Sequence, residues 1–264
     1  MTWDDPINPT AHKAIARLVA GVSPPDATSA VELVEERHDE HAAGRRAAAR
    51  AVEALGTAGA VTGARGTRPS WPPGLVGSIS HTQGCAAAVV ACTARYGAIG
   101  LDLEVSGALP AEDAVAVCSA AEKSVLARVG RGPERDAVAT LHWVAKEAAF
   151  KAWDSWCDGA LRGVDPALLE VGIVASGAVH VQPAAQLAER RFALPPLSGL
   201  WRHGCGLVVV VLAAPARAAL RQTGVEGALG AEKEGKAHLA SHRDRTVSTR
   251  LTRVVPPPLW RVTS

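Results

Sequence analysis

Residues 76–104 read VGSISHTQGCAAAVVACTARYGAIGLDLE, and this stretch holds three short apolar runs separated by turn residues. The runs cover residues 76–80, 86–91 and 98–104, and each is too short for an ordinary helix. A turn at Gly84 separates the first run from the second. The stretch therefore predicts three consecutive strands.

Helical patterns flank these strands. Apolar residues recur at helical spacing over residues 30–55, 111–129 and 135–157, and a short helix is expected at 11–20. Repeated Gly and Pro predict a loop over 56–75, and three more strands are predicted at 168–175, 178–182 and 206–213. This order predicts an α+β protein of two lobes, each a small sheet with helices, and a hinge near 106–110.

The composition of the 264-residue chain is that of a globular protein. Hydrophobic residues make up 48% and charged residues 20%, with a formal charge of +2, which excludes a disordered or fibrous chain and favours neither nucleic acid nor membrane as a partner. The longest apolar run, Cys205–Ala214, has ten residues, about half the roughly 20 that cross a bilayer. The opening residues contain no apolar stretch, so we expect no secretory signal, and five cysteines without a Cys-x-x-Cys pair predict reduced thiols in a cytoplasm.

The character of the sequence changes after Pro215. Residues 230–264 hold seven Lys or Arg against three Asp or Glu and show little apolar periodicity. We favour a solvated, disordered extension over the alternative, a basic arm that touches an acidic partner. The predicted division is an N-terminal lobe at 1–105, a C-terminal lobe at 106–215 and a basic tail at 216–264.

Two carboxylates end the third predicted strand, in the segment Gly100-Leu-Asp-Leu-Glu104. Because side chains alternate along a strand, Asp102 and Glu104 share one face while Leu101 and Leu103 point into the core. Such a pair suits Mg²⁺, which takes one or two carboxylates together with phosphate oxygens and water. Two solvated acids at a strand end are the alternative, and this pentapeptide alone favours them.

A second candidate group lies in the helical segment WVAKEAAFKAW, residues 143–153. Glu147 and Lys151 are four positions apart and therefore neighbours on one face, whereas Trp143 and Phe150, seven apart, are expected on an apolar stripe. A carboxylate and an ammonium on a rigid element can handle a proton and a phosphate together. An exposed helix ion pair is the alternative, and the helix alone does not decide between them.

A third candidate site lies where Ser80, His81 and Thr82 end the first predicted strand. A hydroxyl and an imidazole at a strand end suit a ligand, although a single His is more often structural. We reject Ser80 and His81 as nucleophile and base, because strand neighbours point apart and no Gly-x-Ser-x-Gly elbow surrounds them. Phosphate binding is favoured by nearby basic residues: Arg45, Arg46, Arg50 and Arg68.

Together these segments resemble the signature motifs of the 4′-phosphopantetheinyl transferases, in the large two-lobed variety that includes the activators of enterobactin and surfactin synthetases. The resemblance rests on GSISHT at 77–82, GLDLE at 100–104 and WVAKEAAFK at 143–151, supported by Gly44-Arg45 and by Arg68-Pro69 with Trp71-Pro72. It covers about residues 30–213. It implies two similar lobes, each a small antiparallel sheet packed with helices, and an active site in the cleft between them.

The resemblance also implies a reaction and its residues. Such enzymes move the phosphopantetheine arm of coenzyme A to a serine hydroxyl of an apo acyl or peptidyl carrier protein and release 3′,5′-ADP, in siderophore, nonribosomal peptide or polyketide synthesis. By resemblance, Asp102, Glu104 and Glu147 would hold Mg²⁺, and Glu147 is also the candidate general base. Lys151 would stabilise charge on the phosphate. The coenzyme A-binding residues would be Arg45, Arg50, Arg68, Ser80, His81, Asp102 and Lys151.

The residue chemistry agrees with this, since phosphoryl-type transfer needs a divalent metal, cations and one base. A module that binds coenzyme A without turnover and a Mg²⁺-dependent phosphodiesterase are the competing hypotheses. We expect a cytoplasmic monomer with no nucleic-acid or membrane partner. One chain already supplies both sides of the cleft, with Asp102 from one lobe facing Glu147 from the other.

Overall fold

The computed structural model describes residues 9–34, 39–64, 67–157, 161, 164–188 and 194–222. Its helices and strands, in chain order, are α1 (Pro9–Ala20), β1 (Thr28–Leu33), α2 (Glu40–Ala54), β2 (Leu75–Thr82), β3 (Cys85–Cys92), β4 (Tyr96–Val105), α3 (Ala120–Arg128), α4 (Pro133–Trp156), β5 (Leu169–Ile173), β6 (Ala178–Pro183), α5 (Ala185–Ala188), β7 (Leu197–Gly204), β8 (Leu207–Pro215) and α6 (Arg217–Gln222). Short 3₁₀ turns lie at Asp113–Ala116 and Pro166–Leu168. Within these ranges, no helix combines the length and the apolar character that a membrane crossing needs.

The strands form two antiparallel sheets, one of three strands in the order β1-β3-β2 and one of five in the order β4-β8-β7-β6-β5. The predicted α+β fold with two antiparallel sheets is confirmed. Strand β4 pairs with β8 along its length, so it belongs to the five-stranded sheet, although the predicted boundary at 105 assigns it to the N-terminal lobe. The division into lobes itself stays a prediction.

Strands β4 and β8 are buried on both faces and hold the two halves of the fold together. Along β8, Val208 and Val210 pack in one core with α4, while Val209 and Val211 pack in a second core with β3 and α1. A strand covered on both sides is apolar throughout, which explains the unbroken apolar run of β8. The predicted inward positions of Leu101 and Leu103 are confirmed, since both are buried in the second core.

Helix α4 lies directly against β4 because Gly100 has no side chain. A Cβ atom at Gly100 would stand 1.8 Å from the carbonyl oxygen of Ala148, far inside van der Waals contact. The helix backbone therefore approaches the strand just before Asp102. This close approach brings the carboxylate pair of β4 next to the polar face of α4.

Several elements differ from the sequence predictions. The predicted helix over 30–55 is wrong in its first part, because Thr28–Leu33 pairs with β3 as strand β1, and this long-range pairing outweighs the local helical pattern. The predicted helix over 111–129 begins only at Ala120, where Ser119 and Glu122 form a capping box.

Strand β7 and the short helices α5 and α6 were not predicted. The helices at 11–20 and 135–157 and all six predicted strands are confirmed with small shifts of their ends. Helix α6 lies at the start of the predicted tail, and residues 223–264 lie outside the described residues.

Candidate active site

A cavity of about 290 Å³ opens where β2, β4 and α4 meet. Six of the nine predicted site residues line it: Ser80 and His81 from β2, Asp102 and Glu104 from β4, and Glu147 and Lys151 from α4. Asp102 and Glu104 are two positions apart on their strand and Glu147 and Lys151 are four apart on their helix, so β4 and α4 each turn one face to the cavity. The structure thus brings the predicted acids, the lysine and the imidazole into one space.

Asp102 is the point where the three elements of the cavity are joined. Lys151 Nζ donates to Asp102 Oδ1 at 2.6 Å and to Ser80 Oγ at 2.9 Å, and Ser80 Oγ itself donates to Asp102 Oδ1 at 2.6 Å. Asp102 is buried, while 30% of the Lys151 side chain is exposed towards solvent. The lysine is therefore both anchored and accessible to a ligand.

Glu104 is held in the same way one step further along the two strands. Thr82 Oγ1 donates to Glu104 Oε1, and the backbone N–H of Val105 donates to the same oxygen at 2.7 Å. Ser80 and Thr82 on β2 thus pair with Asp102 and Glu104 on β4, with a spacing of two on each strand. Sequence reasoning gave Thr82 no role, although the matching period of the two pairs was visible in the motifs.

Glu147 has the environment of a strengthened base. Burial raises the pKa of this carboxyl above its ordinary value of 4.5, the nearby negative charge of Asp102 raises the pKa further, and the ammonium of Lys151 lowers it in part. A carboxylate whose pKa is raised is a better proton acceptor.

The acidic lining fits a magnesium ion by its chemistry. In the parts of the chain that the structure describes, no three His, Cys, Asp or Glu side chains are already gathered around one point as metal ligands. Asp102, Glu104 and Glu147 nevertheless line one cavity, and Mg²⁺ accepts one or two carboxylates and completes its shell with water and phosphate oxygens. A divalent cation would also relieve the repulsion between Asp102 and Glu147. The three-carboxylate ligand set stays a prediction.

Trp143 lies at the site rather than on the expected apolar stripe. It lines the cavity one turn before Glu147, whereas Phe150 packs against the core around α4. The residues Trp143, Glu147 and Lys151 follow one another at a spacing of four, which places all three on one helix face. That spacing could have identified the indole as part of the cavity wall.

The three predicted arginines do not line this cavity. Arg45 donates to the carbonyl oxygen of Thr62 at 2.6 Å and holds the loop that leads to Arg68. Arg68 donates to the carbonyl oxygen of Asp154 at 2.9 Å, less than one turn beyond Lys151 on α4. Of the three arginines, Arg68 is thus the one whose partner lies on the site helix.

Arg50 contacts a carboxylate outside the cavity. Its Nη1 lies 2.7 Å from Glu32 Oε1, an ion contact without hydrogen-bond alignment, and Arg46 lies 3.7 Å from the same carboxylate. Because Arg50 is directed to Glu32 and away from the cavity, it has the weakest structural support of the three as a coenzyme A ligand. The coenzyme A roles of Arg45, Arg50 and Arg68 stay predictions.

His81 stands at the rim of the cavity with 46% of its side chain exposed. Its Nδ1 lies 3.2 Å from Glu40 Oε2 on α2. Glu40 was not among the predicted residues, since 41 positions separate the two in the sequence and no local pattern connects them.

Comparisons with known proteins match both halves of the chain. Residues 27–91 match the family model described as the 4′-phosphopantetheinyl transferase N-terminal domain, and residues 98–198 match that of the 4′-phosphopantetheinyl transferase superfamily. The chain is 34% identical over 233 residues to the 4′-phosphopantetheinyl transferase Svp of Streptomyces mobaraensis, covering 81% of this chain and 86% of that protein. It is 34% identical to the 4′-phosphopantetheinyl transferase Npt of Nocardia iowensis, covering 54% and 59% of the two chains. It is 35% identical to enterobactin synthase component D of Salmonella typhi, covering 59% and 64%.

Proposed function

This chain belongs to the 4′-phosphopantetheinyl transferase superfamily, and we propose that the cavity between β2, β4 and α4 is where it carries out the transfer, with Mg²⁺ bound. The protein is a 4′-phosphopantetheinyl transferase, which attaches the phosphopantetheine arm of coenzyme A to carrier proteins. The acceptor in our proposal is a serine hydroxyl of an apo acyl or peptidyl carrier protein. The second product is 3′,5′-ADP.

One observation carries the proposed mechanism: two acids of a strand and an acid and a lysine of a helix line a single cavity. The serine oxygen forms a bond to the phosphorus that bears the pantetheine arm, and the bond from that phosphorus to the 3′,5′-ADP oxygen breaks. Glu147 takes the serine proton as the general base. Mg²⁺ bound by Asp102, Glu104 and Glu147 would neutralise charge on the pyrophosphate.

Lys151 supplies the permanent positive charge beside the reacting phosphate. Two of its three N–H donors are directed to Asp102 and Ser80, and the third can be donated to a phosphate oxygen. The bonds to Asp102 and Ser80 fix the ammonium before substrate arrives, so little reorganisation is needed at the moment of reaction. We assign Ser80 and His81, with Arg45, Arg50 and Arg68, to binding of coenzyme A.

The substrate pathway and cellular setting are further parts of the proposal. Similarity to enterobactin synthase component D supports a role in siderophore, nonribosomal peptide or polyketide synthesis. We place the enzyme in the cytoplasm. We propose a monomer, because β2, β4 and α4 of one chain already bring the predicted acids and the lysine into one cavity.

The test is a transfer assay with the purified full chain, coenzyme A, Mg²⁺ and a panel of apo acyl and peptidyl carriers. We expect mass spectrometry to detect the phosphopantetheine arm on at least one carrier, and a chelator or Asp102→Asn to abolish the gain. No mass gain across the panel would refute the proposed carrier substrates. Release of phosphopantetheine from coenzyme A without an acceptor would identify a phosphodiesterase instead.

A further inference from the structure

Glu40 is a buried acid to which the proposed reaction gives no role. It is the first residue of α2 and only 8% exposed. Its Oε1 accepts a hydrogen bond from the backbone N–H of Gly84 at 2.6 Å, and its Oε2 lies 3.2 Å from His81 Nδ1. A buried carboxylate is costly unless it is paired and hydrogen-bonded. Both of these contacts are made with the end of β2 and the turn after it.

The sequence of α2 explains how this acid reaches β2. A Cβ atom at Gly44 would stand 2.7 Å from Ile79 Cγ2, so the glycine allows the helix to lie directly on the strand. Glu40 is one helical turn before Gly44 and therefore on the same face of the helix. The carboxylate is thus delivered beside His81, two residues past Ile79 along β2.

The turn that Glu40 holds is the two-residue loop Gln83-Gly84 between β2 and β3, and it places a non-glycine residue in the left-handed region. Gln83 and Gly84 have φ angles of 37° and 79°, both in the left-handed region, which a non-glycine residue adopts only at a cost in free energy. The charged hydrogen bond from Gly84 to Glu40 offsets part of that cost. The backbone N–H of Val34 also donates to the Gly84 carbonyl oxygen at 2.8 Å. The turn is therefore held from both sides, two residues after His81.

We propose that Glu40 is a positioning residue for coenzyme A, which acts through His81; this inference rests on the proposed function. The carboxylate holds the Nδ1 side of the imidazole, so that Nε2 is the ring nitrogen presented to a ligand. An imidazole with protons on both nitrogens can then donate from Nε2 to a phosphate oxygen of coenzyme A. Without Glu40, a half-exposed histidine at a strand end would sample several rotamers.

The experiment compares Glu40→Gln with Glu53→Gln, which makes the same change at an exposed position of the same helix. Calorimetry with coenzyme A and Mg²⁺ measures affinity, and steady-state transfer measures kcat and KM. For Glu40→Gln we expect the Kd and KM for coenzyme A to rise about tenfold, as loss of the charged contact that orients His81 predicts, with kcat within about twofold. Glu53→Gln should match the wild-type protein.

A second measurement separates positioning from general loss of structure. In a His81→Ala background, Glu40→Gln should weaken coenzyme A binding no further, because the residue through which it acts is gone. The ¹⁵N shifts of the His81 ring in the ligand-free protein should change with Glu40→Gln and not with Glu53→Gln. If Glu40→Gln does not fold, Glu40→Asp, which keeps the charge but shortens the reach, carries the same expectations.

The outcomes distinguish this inference from the function on which it rests. A wild-type protein that does not bind coenzyme A would overturn both. A wild-type protein that binds coenzyme A, beside a folded Glu40→Gln variant that binds it equally well, would overturn the positioning role alone. An additional loss from Glu40→Gln in the His81→Ala background would likewise reject action through His81.

Discussion

Helix α4 carries two lysine–carboxylate pairs five residues apart, and they differ in nearly every physical respect. Lys146 is 1% exposed, and its Nζ contacts Glu122 at 2.7 Å, Val117 O at 2.8 Å and Pro166 O at 2.9 Å. Lys151 contacts Asp102 and Ser80 at a cavity wall and is partly exposed. All three donors of Lys146 are used within the protein, whereas Lys151 retains access to solvent and substrate.

The partner acids differ in the same way. Glu122 is 2% exposed and accepts hydrogen bonds from the backbone N–H groups of Ser119 and Val171, so with Lys146 it joins the start of α3, strand β5 and α4. Asp102 instead shares its cavity with two further acids. One helix thus contributes to two kinds of ion pair: Lys146–Glu122, the closed pair, has a structural role, and Lys151–Asp102, the open pair, has a reactive one. The number of hydrogen-bond partners within the protein distinguishes the two pairs.

The largest effect is expected from breaking the closed pair. Lys146→Met should lower the free energy of unfolding by about 3–5 kcal/mol, because Glu122 would remain buried without its counter-charge. Urea denaturation measures the change. The matched variant Lys151→Met should cost less, because Lys151 is partly exposed and Ser80 still donates a hydrogen bond to Asp102. Equal losses from the two variants would contradict the distinction.

The open pair should show the reverse pattern in catalysis. Lys151→Met should lower kcat by about 100- to 1,000-fold, the effect of removing one preorganised donor at a developing charge. Transfer to an apo carrier protein, followed at saturating coenzyme A, measures this effect. An unchanged kcat in a folded Lys151→Met protein would remove the lysine from the proposed mechanism.

A smaller effect should appear when both members of the closed pair are replaced. The double variant Glu122→Leu, Lys146→Met should lose about 1–3 kcal/mol less unfolding free energy than the two single variants lose together. The reason is that the double variant leaves no unpaired charge in the core. The freed N–H groups of Ser119 and Val171 prevent complete recovery. Additive losses in a double-mutant cycle would mean that the two side chains do not act as a pair.

The residues of the open pair could be identified as site candidates from the sequence, whereas the contact between Lys151 and Asp102 and the whole of the closed pair could not. Asp102 with Glu104 and Glu147 with Lys151 follow the periods of a strand and a helix, so their shared faces are visible in the motifs. Glu122 and Lys146 lie 24 positions apart in different helices, and their contact exists only after α3 packs on α4. The contact between Glu40 and His81 escaped prediction for the same reason, although His81 itself was among the predicted site residues. Strand β1 did too, since its pairing partner β3 lies more than fifty residues away.

The cavity face of α4 also carries negative charge at Glu147 that Lys151 only partly offsets. The stability of the fold should therefore depend on pH. Burial and the charge of Asp102 together raise the pKa of Glu147 above 4.5, and Lys151 offsets only part of this. In metal-free protein the folded state therefore binds a proton at Glu147 more tightly than the unfolded state does. The stability from this group is fully present below pH 4.5 and is lost as the pH rises through the higher, folded-state pKa.

The smallest predicted effect follows from this linkage. As the pH rises above 4.5, the free energy of unfolding of the metal-free protein should contain a decline of at most about 1.4 kcal/mol per pH unit that Glu147→Gln removes. Lys151→Met should extend the decline to higher pH, because the ammonium that lowers the Glu147 pKa is lost. Urea denaturation at several pH values, with a chelator present, measures both slopes. A Glu147→Gln profile parallel to that of the wild-type protein would mean that this carboxylate is already balanced, as Glu122 is by Lys146.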